Sequence, residues 1–288
     1  MPEIIITFLF GAAVGSFLNV VVLRFETSER ITGRSHCPHC GTTLVWYELV
    51  PMFSYLAQRG RCRSCASRLS VQYPLVELGT ALLFIAVLFA PHPGVPFDVV
   101  GSVFTGGVTA VALVVLHLVI WSLLIVLAVY DLRTTYLPNR FTYAFAGCAF
   151  TLSFAHLFLT HTTSSIQYLT ALAAGPLWFL PLYLLSWMSD GRWMGYGDGK
   201  LALGIGWLLG IDGGGSAIMF GFWIGAAVSL LIMLAQRVLA RLRHARAGER
   251  ALSLTSEVPF GPFLVLGTLI VYLTGATMVT LFWSSAML

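Results

Sequence analysis

The feature that most restricts this chain is the recurrence of apolar runs long enough to cross a lipid bilayer. A spanning helix needs about 20 mostly apolar residues. Runs of this character occupy Ile4–Leu23, Leu75–Ala90, Val99–Tyr130, Phe141–Thr160, Ile166–Met188, Leu201–Ile211, Ser216–Ala235 and Phe263–Trp283. The 99–130 run exceeds one perpendicular helix, so it is either tilted or broken near Gly106-Gly107. The 201–211 run is short. It counts as a span because the charges on either side of it demand a hairpin, with the turn expected at Asp212-Gly213-Gly214-Gly215. Ile4–Leu23 lacks the basic start of a signal peptide and carries Gly15, Ser16 and Asn19, so it is expected to be retained. Only 10% of the residues are charged and 58% are hydrophobic. Soluble domains carry roughly 25% charged residues. That excludes an ordinary soluble domain, a disordered chain and a disulfide-rich secreted module.

The basic residues then set the threading. All 16 fall in four segments: seven in Arg24–Arg68, Arg133 with Arg140, Arg192 with Lys200, and five in Arg237–Arg250. The alternate loops 91–98, 161–165 and 212–215 contain none. Cytoplasmic loops carry the excess of Lys and Arg. The pattern predicts about eight spans, with both termini outside and the four basic segments in the cytoplasm. The net charge of +4 therefore marks topology, and no nucleic-acid partner is expected. The Arg-rich 237–258 loop reads as a solvated anchor beside anionic lipid headgroups. No internal repeat is evident, so the inverted-repeat signature of many transporters is missing.

Four of the five cysteines form two C-x-x-C knuckles, Cys37-Pro38-His39-Cys40 and Cys62-Arg63-Ser64-Cys65. Two such pairs at this separation are a zinc signature, and a closed four-thiolate site is structural because it leaves no open position. His36 or His39 could replace a thiolate, but four cysteines suffice. A reducing cytoplasm argues against disulfides. Cys148 lies in an apolar run and reads as a packing residue. The expected fold is an all-α integral membrane protein with a small cytoplasmic zinc loop after the first helix. Residues 1–24 form the first transmembrane helix, 25–72 the zinc-binding loop and 73–288 a seven-helix membrane core.

Of five aspartates, Asp98 and Asp212 fall on the outer side and Asp190 sits in a Ser-Asp-Gly-Arg turn. The other two are unusual. Asp131 ends a long apolar run, and Asp198, within Met194-Gly195-Tyr196-Gly197-Asp198-Gly199-Lys200, directly precedes one. Both are placed at the cytoplasmic end of a span, at similar depth. Ionisable groups at membrane depth are costly and default to function. Two carboxylates brought together share a proton, and such a pair can activate water and protonate a leaving amine. Two other readings stay open at this point: separate interfacial aspartates that cap helices or pair with arginine, and a conducting pathway. Glu77, His117 and His156 are the only other ionisable groups near the spans that bear on the second. Glu77, after Tyr73-Pro74, is a candidate helix N-terminal stabiliser or a residue supporting a site. No H-E-x-x-H or G-x-S-x-G is present.

With these residues in view, the chain resembles the type IV prepilin peptidases, bifunctional leader peptidase/N-methyltransferases of the bacterial inner membrane. The resemblance rests on pieces in family order: Gly15-Ser16-Phe17-Leu18-Asn19-Val20-Val21; the cysteine loop with Arg59-Gly60-Arg61-Cys62-Arg63; Tyr73-Pro74-Leu75-Val76-Glu77; Asp131 with Leu137-Pro138-Asn139; Gly195-Tyr196-Gly197-Asp198-Gly199-Lys200; and Pro259-Phe260-Gly261-Pro262-Phe263. It implies that Asp131 and Asp198 are the catalytic aspartates, with Cys37, Cys40, Cys62 and Cys65 holding zinc. It implies cleavage of type IV prepilins or type II secretion pseudopilins after a glycine, at the cytoplasmic membrane face, releasing a short basic leader. It further implies methylation of the new N-terminus with S-adenosylmethionine. The residues that bind this donor are not implied, since no glycine-rich nucleotide fingerprint is present. Gly199 stands where the family usually has a larger apolar residue, which is expected to loosen the helix that follows. The segment Trp46-Tyr47-Glu48-Leu49-Val50-Pro51 matches only approximately. The wider group of GxGD aspartyl proteases similar to signal peptide peptidase and presenilin fits Tyr130-Asp131 and Gly195-Tyr196-Gly197-Asp198. It lacks the four-cysteine loop and ends on a different proline motif. A transporter or zinc-stabilised membrane scaffold is the non-enzymatic alternative.

Overall fold

The computed structural model describes residues 2–25, 27, 32–89, 107–159, 164–242 and 259–280. Among the described residues the regular elements are all helices; the cysteine loop is otherwise turns, with a 3-10 turn at Trp46–Leu49 and two isolated β-bridges. Helix α1 spans Pro2–Arg24, α2 is the short Phe53–Ala57, and α3 spans Gln72–Phe89. They are followed by α4 (Val108–Thr134), α5 (Asn139–Leu159), α6 (Ser165–Met188), α7 (Tyr196–Leu242) and α8 (Gly261–Thr274). The chain divides into two compact units, and the boundary falls between Val126 and Leu127, inside α4.

Six of these helices are long and apolar enough to cross a membrane, and α8 is a shorter apolar helix. One of the six, α7, is not continuous. Gly210 sits at φ 75° and ψ −169°, a conformation that only glycine adopts readily. Beyond it the chain folds back. A Cβ on Gly214 would lie 3.1 Å from the Cα of Gly206, eight residues earlier. In a straight helix eight residues advance about 12 Å. Counting the two arms of α7 separately, the described residues form eight apolar helical segments, as the hydropathy and charge pattern predicts.

The turn is displaced from its expected place. Asp212-Gly213-Gly214-Gly215 is helical, and its glycines are buried. They are small because the Trp178 ring of α6 lies against them: a Cβ on Gly214 would come 3.0 Å from Trp178 Cδ1. The indole N–H of Trp178 donates to the Ile211 carbonyl at 2.8 Å. Two further boundaries differ from the hydropathy runs. Helix α4 begins at Val108, so the 99–106 portion of that run lies outside the described residues. Helix α8 stops at Gly275, which is left-handed at φ 64° and closes the helix with its N–H on Val271.

Helices in lipid gain nothing by burying apolar surface against each other, so close packing through small residues holds them together. In the first unit, a Cβ on Gly11 would meet Ala81 of α3 at 2.7 Å, and one on Gly15 would meet Glu77 at 2.8 Å. In the second unit, Gly206 abuts the Ala174 carbonyl of α6, and Gly267 of α8 abuts the Ala217 carbonyl of α7. Large apolar side chains such as Ile6, Leu169 and Leu231 stay exposed, while Asn19, Thr80, His117 and Ser186 are buried. A soluble monomer rarely exposes apolar surface on that scale; a bilayer covers it.

Candidate active site and metal centre

The first unit carries the cysteine loop. Arg24 closes α1, but it does more than mark topology. It is buried, and its guanidinium donates to the carbonyls of Gly33 at 2.8 Å and Arg34 at 2.9 Å, tying the loop to the helix end. The two knuckles have the same backbone. Cys37 N–H bonds Thr42 and Gly41 N–H bonds Cys37. Likewise Cys62 N–H bonds Ser67 and Ala66 N–H bonds Cys62, each at 2.9 Å. The residue after the second cysteine of each knuckle is left-handed: Gly41 at φ 71° and Ala66 at φ 56°. This turn aims both sulfurs of a pair inward.

The four sulfurs lie within 4.8 Å of one another. Cys37 and Cys65 are 3.9 Å apart, and Cys40 and Cys62 are 4.0 Å apart. A tetrahedron of Zn–S bonds near 2.3 Å requires sulfurs roughly 3.8 Å apart. The donor set therefore fits a four-coordinate soft metal. Among the described residues the cluster contains these cysteines alone, without His36 or His39. The thiols are not shifted alike: the Cys65 and Ser64 amides pull Cys62 down, but burial and the Cys37 and Cys65 thiols leave it raised. Burial pushes the Cys37 thiol up, but the Cys40 and His39 amides with the Cys62 and Cys40 side chains outweigh it, giving about 6 against an ordinary 9.0. The Ser67 hydroxyl and amide hold Cys65 below its ordinary value.

Glu77 also lies in the first unit. It is not in the first turn of α3, so it is no helix-dipole stabiliser. Its carboxylate accepts the Met52 N–H at 2.7 Å, where Met52 is left-handed at φ 59°. Asn19 is buried one turn from Gly15. Its amide donates to the Tyr73 carbonyl at 3.2 Å, and its oxygen accepts from Gln72 at 3.4 Å. His117 is fully buried, with Nδ1 bonded to the Leu113 carbonyl at 2.8 Å.

The second unit carries both aspartates. Asp131 is 4% exposed and Asp198 is 6% exposed, and the segments that carry them come together around Leu137. Three chain segments converge to make this arrangement. Asp131 lies in the last turn of α4, which ends as Thr135 N–H bonds the Asp131 carbonyl at 2.8 Å with Thr135 at φ 53°. Asp198 lies in the first turn of α7, after a turn held by the Ser186 hydroxyl on the Met194 carbonyl at 2.8 Å. The third segment is the start of α8, whose Gly261 N–H donates to Asp131 Oδ2 at 2.9 Å. Leu137 fills the space among them: Cβ atoms on Gly197 and Gly261 would meet it at 2.7 and 3.4 Å. Lys200 Nζ donates to Asn139 Oδ1 at 2.7 Å and lies 5.5 Å from the Tyr143 ring centroid, joining the starts of α7 and α5.

The Gly261 amide is the contribution that the order of residues conceals. Asp131 ends one helix, where the dipole disfavours an anion, yet it accepts a free N–H from the start of another, where the dipole favours it. The only local signal is Gly-Pro at a helix start. Gly199 is buried, and a Cβ there would lie 3.3 Å from Tyr183 N. Its small size lets α6 approach and does not loosen α7. Asp190 is exposed in its turn at φ 50°, apart from any site.

The comparisons agree with this division. Residues 9–90 match the Bacterial Peptidase A24 N-terminal domain, and residues 118–240 match the Type IV leader peptidase family. The Prepilin leader peptidase/N-methyltransferase of Bacillus subtilis (strain 168) is 31% identical over 283 residues, covering 98% of both chains. That of Myxococcus xanthus (strain DK1622) is 34% identical over 256 residues, covering 88% of this chain and 68% of its own. That of Klebsiella pneumoniae is 33% identical over 213 residues, covering 70% and 83%. No solved structure matches significantly. With similarity of this kind along almost its whole length, the chain is a multi-pass membrane protein that belongs to the type IV prepilin leader peptidase/N-methyltransferase family, peptidase A24.

Proposed function

We propose that this protein removes the leader of type IV prepilins or type II secretion pseudopilins through Asp131 and Asp198, and then methylates the new N-terminus. The observation that carries the peptidase reading is the meeting of two buried carboxylates from segments 67 residues apart, with Gly261 N–H fixed on one of them. One carboxylate, ionised, takes a proton from water as the water oxygen attacks the scissile carbonyl carbon. The other, protonated, first supports the carbonyl oxygen. The C–N bond then breaks, and the departing amine takes a proton from the pair. The Gly261 amide holds the Asp131 carboxylate in one orientation.

A prepilin presents an apolar helix in the bilayer and a basic leader in the cytoplasm. Its cut site would lie at the boundary where α4 ends and α7 begins. We place this site at the cytoplasmic face of the bacterial inner membrane, with both termini outside. The cysteines Cys37, Cys40, Cys62 and Cys65 would hold structural zinc, which supplies rigidity and no open coordination position. S-adenosylmethionine is the proposed methyl donor.

The test is mass spectrometry of a prepilin incubated with membranes containing the protein and S-adenosylmethionine, beside Asp131→Asn and Asp198→Asn. Cleavage and methylation by the unaltered protein, and neither product with the variants, is the expected result. Cleavage that survives both substitutions rules out the aspartyl mechanism. Cleavage without methylation removes the second activity.

A further inference from the structure

The stretch between the two knuckles presents large apolar side chains on its surface. Trp46 is 79% exposed, Phe53 64% and Leu56 71%, with Val50 exposed beside them. Phe53 and Leu56 stand three residues apart on α2, so they share one face of it. The segment is not held clear of the membrane. Helix α3 is described over 18 residues, Gln72–Phe89. They rise about 27 Å, against a hydrocarbon core about 30 Å thick, so the whole of α3 is needed to cross it. Glu77 therefore lies inside the span, and it packs on Gly15 of α1, nine residues before that helix ends at Arg24. The Glu77 carboxylate accepts the Met52 N–H at 2.7 Å. This bond draws the start of α2 down beside the two helix ends, to the depth of lipid headgroups.

The surroundings are basic. Residues 32–71 contain Arg34, Arg59, Arg61, Arg63 and Arg68, and one acidic residue, Glu48. Glu48 is occupied within the loop, where it accepts the Val45 N–H at 3.0 Å. A four-thiolate zinc centre, at a formal −2, would still leave the segment basic. Arg61 and Arg68 are partners in a β-bridge, and both are exposed. Like charges directly opposite each other destabilise such a pair, and a bound anion offsets the repulsion. The basic and apolar parts adjoin. The Arg63 guanidinium lies 5.5 Å from the Tyr47 ring centroid, and that ring meets Trp46 edge-on with centroids 5.7 Å apart. Aromatic rings at headgroup level, with arginines reaching to phosphate, hold protein segments on membrane surfaces.

We propose that this face of the cysteine loop docks on the bilayer that α1 and α3 cross. Trp46, Phe53 and Leu56 enter the leaflet, and Arg61, Arg63 and Arg68 bind the phosphates of anionic lipids. Three observations favour lipid as the occupant. Spanning helices tether the loop at both ends, Glu77 draws α2 to headgroup depth, and the arginines complement the negative surface of the cytoplasmic leaflet. The sign of that leaflet enters through the cytoplasmic placement of the loop proposed above.

The test uses the full chain in nanodiscs of equimolar phosphatidylcholine and phosphatidylglycerol, with a p-benzoylphenylalanine photoprobe placed at Trp46 or at Phe53. Mass spectrometry after illumination identifies what each probe touches, with and without an added prepilin. Zinc content and thermal melting report folding. Lipid adducts at both positions are expected, with phosphatidylglycerol favoured. Arg61→Gln, Arg63→Gln and Arg68→Gln are each expected to lower that preference by about fivefold. Raising the salt to 0.5 M is expected to lower it without any substitution, which keeps the test open if a variant fails to fold. Adducts to peptides after Leu127 would place the face against the rest of the chain, and adducts to the prepilin would make it a protein-docking surface. Either result overturns the proposal, as does a lack of lipid adducts. Equal yields from the two lipids, unmoved by salt, overturn it as well.

Discussion

The cysteine cluster and the aspartate pair solve the same problem, holding polar groups beside apolar helices, by opposite means. The cysteines lie within 29 residues of one another and are positioned by two short turns with matching hydrogen bonds. The aspartate site draws on residues 131, 198 and 261, brought together by helices that pack through glycine and alanine. The first is local geometry that a four-coordinate metal would close. The second is tertiary geometry closed by packing, with a helix amide as its clamp. Each is therefore vulnerable in its own way: the cluster to loss of any metal it holds, the pair to small displacements of backbone.

The sharpest break between the two regions comes from Asp131→Asn and Asp198→Asn. Each is expected to lower leader cleavage by about 10³-fold or more, read by mass spectrometry, while zinc content stays at one per chain. Zinc lost along with activity would erase the distinction. Next in size is metal removal. Structural zinc contributes on the order of 10 kcal/mol in small domains, so chelation or Cys37→Ser is expected to open the 32–71 loop to proteolysis. Acid acts in the same direction. Metal binding displaces protons from the thiols, and Cys62 is raised while Cys37 is lowered to about 6, so apparent metal affinity is expected to fall steadily as pH falls and more steeply below about 6, where Cys37 is protonated too. Metal uptake by apo-protein between pH 5 and 8 checks the sign.

Gly261→Ala sharpens the comparison from the other side. Its Cβ would sit 2.9 Å from Asp131 Oδ2, which forces the carboxylate or α8 to shift. A displacement of this size costs about 10²-fold in rate, and zinc content is expected to stay unchanged. Gly210→Ala is next, with a cost of about 1–3 kcal/mol for a left-handed position that no side chain tolerates well, read by thermal melting in detergent. Gly147→Ala is the smallest change. Nothing lies within 4 Å of its Cβ position, and stability is expected to move by less than about 0.5 kcal/mol.

Much of this protein is legible in particular residues. The spacing of Cys37, Cys40, Cys62 and Cys65 announces its own geometry, because a knuckle needs only four residues and a left-handed turn. The apolar runs announce helices, because lipid leaves the backbone no partner except itself. The charge pattern predicts the hairpin in α7 but puts its turn in the wrong place. Three consecutive glycines look like a loop, whereas here they make room for Trp178, and the single Gly210 carries the turn. Glu77 reads from the sequence as a helix N-terminal stabiliser or a residue supporting a site; in the structure it accepts the amide of Met52, 25 residues earlier.

From the sequence alone come the class of molecule, the order of its helices, the four cysteines that cluster and the two aspartates that end and begin apolar helices. Each of these depends on composition, period or short spacing. Only the tertiary structure decided that Asp131 and Asp198 meet and that Gly261 clamps one of them. Those outcomes depend on how closely helices far apart in the chain can approach. That distance is set by which residues happen to face each other across an interface, information that no local pattern contains.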